Sequence, residues 1–463
     1  MSDAPRQLHD FTALEQANKI RSGEITSRQF TEHYLARTES LNAEVGAFIT
    51  VLADAALASA DASDELVRTV ADPDELPVLH GVVCPTKDLN FMAGVNCSFG
   101  SRALNLTPPI DDDAVAAMRA GGLVFIGTTN TPEFGLPCYT ENDIAPPART
   151  PWDLNRSAGG SSGGAGAAVA AGLAPIAQGS DGGGSIRIPA SACGLVGIKP
   201  SRGLVSNGPM PDGLGELVAI GPLARTVRDA VALLDTMAGT SMLNRVGREP
   251  GMLRIGRYAT PVIADTTVDP QCLAAYERTT ELLTELGHEV DEIAAPFPHQ
   301  LVASFEVLWS VSARTIPLTN EQVQLSTPLT QWLRTRGEQY SAVDLAQAIY
   351  AVRAASSAAM AATNGYDVIL TPTLAHLPAP LGSMRNDADP AADFESQKRF
   401  TPFTAPYNVT GQPAMTLPLD HSDEGLPIGC QFVGRIGGEE TLIALAVQLE
   451  AARPWLGRTP SMW

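Results

Sequence analysis

The chain has 463 residues, of which 44% are apolar and 18% charged. This composition excludes a disordered protein and is enough to bury a large core. The 31 basic and 51 acidic residues leave a formal charge of −20, which repels phosphate backbones and therefore argues against a nucleic-acid partner.

The cysteines and histidines show no spacing typical of metal sites or disulfides. The six cysteines are scattered without a CxxC pair, and the seven histidines form no HExxH motif. We therefore expect free thiols, no structural zinc and no cofactor. The N-terminus has no apolar signal core, and the small-residue run at 165–177 is too short to span a bilayer. These features predict a cytoplasmic protein that does not bind a membrane.

The first half of the chain is predicted to alternate helices and strands. Thr12-Ala-Leu-Glu15 and Thr26-Ser-Arg-Gln29 are capping boxes, so two helices are expected within 12–45. A buried strand at 78–85 should place Lys87 just past its end. Further elements are expected as a helix at 113–120, a strand at 123–127, a small-residue helix at 167–171, and helices at 185–193 and 226–237.

The alternation resumes after a linker at 239–251. Strands are predicted at 253–258, 289–293, 368–372 and 428–433, and helices at 270–286, 343–363 and 439–452. This pattern indicates an α/β fold around a mixed or parallel sheet.

Residues 297–342 break this rhythm and are richer in aromatic side chains. Val302, Phe305 and Trp309 would share one face of a helix. That face could serve either as ordinary core packing or as the wall of a substrate pocket, and the sequence alone leaves both open.

The glycine-serine run around Ser161 admits several interpretations. A flexible linker is disfavoured because a helix of small residues follows directly, and no Gly-Lys-Ser/Thr follows to make a phosphate loop. Gly159-Gly-Ser161-Ser-Gly163 matches the nucleophile elbow of an α/β-hydrolase-type esterase, which needs a preceding strand and a later histidine. Pro151 argues against that strand, and only His376 follows a predicted strand.

A second glycine run, Gly182-Gly-Gly-Ser185, precedes the predicted helix at 185–193. Consecutive backbone N–H groups before a helix can form a positively polarised nest, which suits the oxyanion of a tetrahedral intermediate. Ser185 at its edge could attack a carbonyl, provided that a neighbouring group removes its proton.

Together the two runs and Lys87 resemble the amidase signature hydrolases. The core from Pro151 to Pro200 carries Gly-Gly-Ser-Ser-Gly-Gly followed by Gly-x-Asp-x-Gly-Gly-Ser-Ile-Arg-x-Pro, and the similarity extends from about residue 10 to the C-terminus. The resemblance implies one domain over 1–463, with a central mixed twisted sheet covered by helices on both faces. The core motifs would occupy about 80–240, and 297–342 would be a variable segment that contributes to the substrate pocket.

The resemblance also implies residue roles for the hydrolysis of a carboxylic amide to acid and amine. Ser185 would be the acyl-enzyme nucleophile, Ser161 a bridging serine on a cis peptide bond, and Lys87 the general base, with its pKa lowered by burial. Oxyanion donors would be Gly182, Gly183, Gly184 and Ser185. Stabilising hydrogen bonds would come from Ser162, Asp181 and Arg187.

Substrate identity is less defined. Gly182 and Ser180 stand where the family usually has a larger residue and a threonine, which would widen the floor beside the nucleophile. Candidate substrate-binding residues are Gly135, Leu136 and Cys138. The loop that carries them and the aromatic segment suggest apolar walls, with no Arg or Lys facing the site, and esters or carbamates are further candidate substrates. Cys138 has no histidine placed beside it by sequence, so a packing or pocket role is expected.

Three other functions stay open on sequence grounds. A glutaminase subunit of a tRNA-dependent amidotransferase would have the same three residues, but glutamine typically follows Ser-Ile-Arg there, and Ile188 stands in its place. The esterase described above would use Ser161 with a histidine. A non-catalytic binding protein would not need Lys87, Ser161 and Ser185 intact. A homodimer is compatible with the sequence.

Overall fold

The computed structural model describes residues 6–209, 213–298 and 300–463. In these ranges the strands are β1 (Phe48–Val51), β2 (Thr86–Lys87), β3 (Gly127–Thr129), β4 (Ile176–Asp181), β5 (Val196–Lys199), β6 (Ala219–Ala224), β7 (Arg254–Arg257), β8 (Glu289–Glu292), β9 (Val368–Pro372), β10 (Ala414–His421) and β11 (Pro427–Gly434). The α-helices are α1 (Ala13–Arg21), α2 (Ser27–Val45), α3 (Ala53–Thr69), α4 (Asp113–Ala120), α5 (Gly163–Ala170), α6 (Arg187–Cys193), α7 (Val227–Ala238), α8 (Pro270–Glu285), α9 (Gln300–Thr315), α10 (Asn320–Leu325), α11 (Pro328–Gln339), α12 (Ala342–Ala362), α13 (Pro390–Phe400), α14 (Pro406–Thr410) and α15 (Glu439–Ala452).

The central sheet is mixed, as the sequence predicts. Eight strands lie in the order β4-β6-β5-β10-β11-β9-β7-β8. Pairing is antiparallel from β4 to β9 and parallel among β9, β7 and β8. Every residue of β4, β5, β6, β9 and β11 is buried. Because successive side chains of a strand point to opposite faces, this continuous burial means that both faces of the sheet are covered.

A separate three-stranded sheet carries Lys87. Strand β3 lies between β1, which is antiparallel to it, and β2, which is parallel. The predicted strands at 78–85 and 123–127 are wrong in extent, since Val83 and Val124 form a single bridge and only Gly127 belongs to a strand, β3. Gly81 adopts a φ of +77° in a turn that ends just before this bridge. Lys87 therefore lies within a short strand, two residues after Pro85.

The helical predictions agree more closely with the structure. Thr12 and Thr26 form the expected capping boxes at the starts of α1 and α2. The predicted helix at 167–171 is the second half of α5, in which every residue is buried. The irregular segment at 297–342 contains the three helices α9, α10 and α11. No helix in the described ranges is long and apolar enough to cross a membrane.

Candidate active site

Three chain segments meet at the candidate site. Strand β2 supplies Lys87, the loop before α5 supplies Ser161, and the turn between β4 and α6 supplies Ser185. The peptide bond between Gly160 and Ser161 is cis. A Cβ atom at Gly160 would lie 2.8 Å from backbone atoms of Tyr139, so this close approach requires glycine.

Lys87 is fully buried and contacts the first serine. Its Nζ donates a hydrogen bond to Ser161 Oγ at 2.7 Å, and it also lies 3.1 Å from Ser180 Oγ and 3.2 Å from the Ser180 carbonyl oxygen. Burial lowers the pKa of Lys87 to about 7, although the negative charge of Asp181 opposes this shift. A substantial fraction of Lys87 is therefore neutral at physiological pH, and a neutral amine can accept a proton.

The turn that carries Ser185 is held by a buried ion pair. The Asp181 carboxylate accepts hydrogen bonds from Arg187 Nη2 at 2.8 Å and Nε at 2.9 Å, and both side chains are inaccessible to solvent. It also accepts from the backbone N–H groups of Gly184 and Ile186. Burial by itself would raise the pKa of Asp181, but the charge and hydrogen bonds of Arg187 lower it well below its usual range. Asp181 is therefore a charged anchor for the turn.

Ser162 connects the two serine loops. Its Oγ donates to the Ser180 carbonyl at 3.1 Å and accepts from the Ser180 N–H at 3.2 Å. Its backbone N–H donates to the carbonyl oxygen of Ser185 at 3.1 Å. Both loops thus share one hydrogen-bonded network.

The nest of N–H groups is smaller than the sequence suggests. The N–H of Gly184 donates to Asp181 Oδ1 at 2.7 Å, so its assignment as an oxyanion donor is wrong. Within the described residues, the N–H groups of Gly182, Gly183 and Ser185 have no hydrogen-bond acceptor in the protein. Thr404 Oγ1 donates to the Gly183 carbonyl at 2.7 Å and thereby fixes the orientation of the peptide that follows.

A cleft opens over Ser185. Leu136 and Cys138 line it as expected, whereas Gly135 lies beside Ser161, whose Oγ would be 3.3 Å from a Cβ at that glycine. The predicted helix face also lines the cleft, through Val302, Phe305 and Trp309.

Trp309 borders the space beside Gly182, where the family usually has a larger residue. A Cβ atom at Gly182 would lie 3.6 Å from ring atoms of Trp309, an ordinary van der Waals contact. The expectation that no basic side chain faces the site is wrong, because Lys398 lines the cleft together with Glu306.

Rival nucleophiles and bases do not assemble around these serines. Cys138 is buried, burial raises the pKa of its thiol above the ordinary range, and its neighbours include Gln397 and Met384. Within the described ranges, no histidine hydrogen-bonds to either Ser161 or Ser185, and no cluster of His, Cys, Asp and Glu could bind a metal ion. Ser161 follows a loop rather than a strand, so the α/β-hydrolase elbow is wrong.

Four buried polar residues of the site were missed by sequence reasoning. Gln178 accepts a hydrogen bond from the Lys87 N–H at 2.8 Å. Asn408 and Gln431 accept hydrogen bonds from the Arg187 guanidinium. Thr404 donates a hydrogen bond to the Gly183 carbonyl oxygen. Each of them is a polar residue within or beside an otherwise apolar segment, such as Ile176-Ala-Gln178 in β4. That pattern is the only signal that could have indicated them.

Comparisons with known proteins agree with this geometry. A family model described as Amidase matches residues 29–443. The chain is 34% identical to a 6-aminohexanoate-cyclic-dimer hydrolase from Paenarthrobacter ureafaciens, over 97% of this chain and 96% of the relative, and 31% identical to an acylamidase from Rhodococcus erythropolis, over 98% of each. A solved structure of a 6-aminohexanoate cyclic dimer hydrolase superposes with a TM-score of 0.90 at 31% identity, covering 99% of this chain and 100% of the other. The protein thus belongs to the amidase signature family and is an enzyme that hydrolyses amide bonds.

Proposed function

We propose that amide hydrolysis in this enzyme proceeds through an ester on Ser185, with Ser161 and Lys87 as its proton relay. The observation that carries the proposal is the 2.7 Å hydrogen bond between Lys87 Nζ and Ser161 Oγ, made by a buried lysine whose pKa is about 7. A lysine that is partly neutral and bonded to a serine can take that serine's proton.

In the acylation half-reaction, neutral Lys87 takes the proton of Ser161, and Ser161 takes the proton of Ser185. The Ser185 Oγ then attacks the carbonyl carbon, and the oxyanion forms beside the free N–H groups of Gly182, Gly183 and Ser185. When the C–N bond breaks, the proton returns through Ser161 to the nitrogen, and the amine leaves neutral. Water then attacks the ester and gives up its proton through Ser161 to Lys87. This step releases the acid and restores Ser185.

The cleft favours uncharged amides with an apolar flank as substrates. Leu136, Ile188, Phe305 and Trp309 present apolar surface around Ser185, and apolar burial supplies most of the binding energy in such pockets. The names of the relatives, an acylamidase and a cyclic-dimer hydrolase, agree with an amide substrate. We expect an enzyme that acts alone rather than a glutaminase subunit, because Ile188 occupies the cleft wall where that subgroup has glutamine.

Covalent labelling of the nucleophile tests the proposal. A fluorophosphonate probe should label the wild type at Ser185, as peptide mass spectrometry would show, and Ser185→Ala should remove both labelling and amide turnover while the unfolding midpoint is kept. A folded Ser185→Ala variant that retains more than about a hundredth of wild-type activity would exclude the covalent step. Preference for glutamine over anilides would instead favour the amidotransferase subunit.

A further inference from the structure

The substrate cleft contains one pair of opposite charges in an otherwise mostly apolar wall. Glu306 lies on α9 and Lys398 on α13, and both line the cleft that Ser185 also lines. Lys398 Nζ lies 2.6 Å from Glu306 Oε1. The side chains of Lys398 and Glu306 are 14% and 16% exposed respectively, so both are largely removed from water although both residues line the cleft.

Each member of the pair has a second partner outside the pair. Arg336 on α11 donates to Glu306 Oε2 at 3.0 Å, and Glu395 accepts from Lys398 Nζ at 2.5 Å. Burial raises the pKa of Glu306, but the hydrogen bonds from Lys398 and Arg336 outweigh it and leave that pKa lowered. The four charges cancel, and the two residues therefore add no net charge to the lining of the cleft.

We infer that Glu306 and Lys398 form a charge-compensated subsite that selects amide substrates whose remote end is neutral and hydrogen-bonding, such as a second amide. The inference rests on the proposed function, because it takes the cleft over Ser185 as the place where the substrate binds.

The chemistry of the pair explains this selectivity. A neutral amide offers an N–H donor that suits the Glu306 carboxylate and a carbonyl acceptor that suits the Lys398 ammonium. An ammonium end would be attracted by Glu306 and repelled by Lys398, whereas a carboxylate end would be attracted by Lys398 and repelled by Glu306. In both cases the charged end loses its hydration without a net gain in electrostatic energy, since burying a charge is unfavourable unless it is paired.

The partners outside the pair make a reciprocal test feasible. In Lys398→Met, Glu306 keeps Arg336, and the cleft becomes net negative. In Glu306→Gln, Lys398 keeps Glu395, and the cleft becomes net positive. Arg314 and Glu338 supply the matched control, because their 2.7 Å ion pair joins α9 to α11, as the contact of Glu306 with Arg336 does, and neither residue lines the cleft.

The assay uses acyl p-nitroanilides of equal chain length that end in methyl, carboxamide, ammonium or carboxylate. The wild type should cleave the carboxamide-tipped substrate with a kcat/KM at least about tenfold above either charged one. Lys398→Met should raise the ammonium-to-carboxylate ratio of kcat/KM about tenfold, and Glu306→Gln should lower it about tenfold, whereas Glu338→Gln should leave it unchanged. Lys398→Gln repeats the first measurement if Lys398→Met does not fold.

The remaining outcomes are equally decisive. A wild type that prefers a charged end, or variants that change all four substrates by one common factor, would overturn the subsite and leave the pair a structural link. If Ser185→Ala stays active while the reciprocal shift occurs, the subsite stands and the nucleophile assignment fails. If Ser185→Ala is inactive and the ratio does not move, only the subsite fails.

Discussion

The pH dependence of amide hydrolysis should follow the deprotonation of Lys87. With its ordinary pKa of 10.5, only about one lysine in 3,000 would be neutral at pH 7, whereas a pKa of about 7 makes about half of the molecules neutral. The protonated form is inactive in this scheme. We therefore expect kcat/KM to rise about tenfold per pH unit below pH 7 and to level off above it.

Replacement of Lys87 by methionine should remove this pH dependence. Loss of the base should lower kcat/KM for an anilide by about a thousandfold or more. An ester of the same acid should suffer less, because an alkoxide leaving group depends less on protonation than an amine does. Both rates should be measured from about pH 5.5 to 10. A Lys87→Met variant with the wild-type profile and the wild-type amide-to-ester ratio would refute the assignment of Lys87 as the base.

Stability measurements separate loss of the base from loss of the fold. The pKa of Lys87 is about 7 in the folded state and 10.5 as its ordinary value. Below pH 7 the buried, protonated lysine therefore destabilises the folded protein fully, and this destabilisation decreases as the pH rises from 7 to 10.5. Wild-type stability should therefore increase with pH across this window, and Lys87→Met should unfold no earlier than wild type at pH 7. The matched control is Lys199→Met: Lys199 is also buried with a pKa of about 7, but its Nζ donates to the Pro200 carbonyl oxygen. That variant should still show a rise of kcat/KM with pH, because Lys87 is intact, whereas its midpoint should shift in the same direction as in Arg187→Met, since the charge of Lys199 also acts on Asp181.

Two further substitution pairs test the site. His376→Ala and His421→Ala should each keep kcat/KM within about tenfold of wild type, and a thousandfold loss from either would show that a histidine takes part in the chemistry. Gly184→Ala should abolish activity and lower the unfolding midpoint, because Gly184 has a φ of +129° and its Cβ would lie 2.4 Å from Thr404 Oγ1. Gly182→Ala should stay within about tenfold in kcat/KM, since its nearest neighbour would be 3.5 Å away; equal effects at both glycines would contradict this reading of the turn.

Local sequence signals predicted the parts of the fold that local interactions determine. Thr12 and Thr26 cap their own helices through contacts three residues away, so the sequence suffices there. The strand expected at 78–85 was wrong because an apolar run does not reveal the turn that ends at Gly81. Strand order in the central sheet, where β5 pairs with β10 more than 200 residues later, has no local signal.

The candidate site shows the same division. The two glycine-serine motifs and Lys87 could be recognised from sequence, and the structure brings Lys87 to Ser161. The use of the Gly184 N–H by Asp181 depends on how the turn folds and could not be read from the glycine run. The Glu306–Lys398 pair joins residues 92 positions apart, and the expectation of a cleft without basic groups failed for that reason.

The ion pair between Asp181 and Arg187 connects the geometry of the turn to the protonation of Lys87. The negative charge of Asp181 raises the pKa of Lys87, and Arg187, bound to both carboxylate oxygens, limits that effect by compensating the charge. Removal of Arg187 should therefore favour the protonated, inactive lysine. It should also lower the free energy of unfolding by about 3–5 kcal/mol, because it leaves a buried carboxylate without its main partner.

We accordingly expect Arg187→Met to shift the midpoint of the kcat/KM profile upward by about one pH unit, a change of about 1.4 kcal/mol in the protonation of Lys87. Asp181→Asn should shift it downward, and the double variant, in which both charges are absent, should lie closer to wild type than Arg187→Met does. A variant that has only lost structure would lower activity at every pH without moving the midpoint. Unfolding curves and pH profiles of all three variants distinguish these cases. A midpoint that stays at its wild-type value in folded Arg187→Met and in folded Asp181→Asn would show that the charge of Asp181 does not reach Lys87, so that the ion pair serves the turn alone.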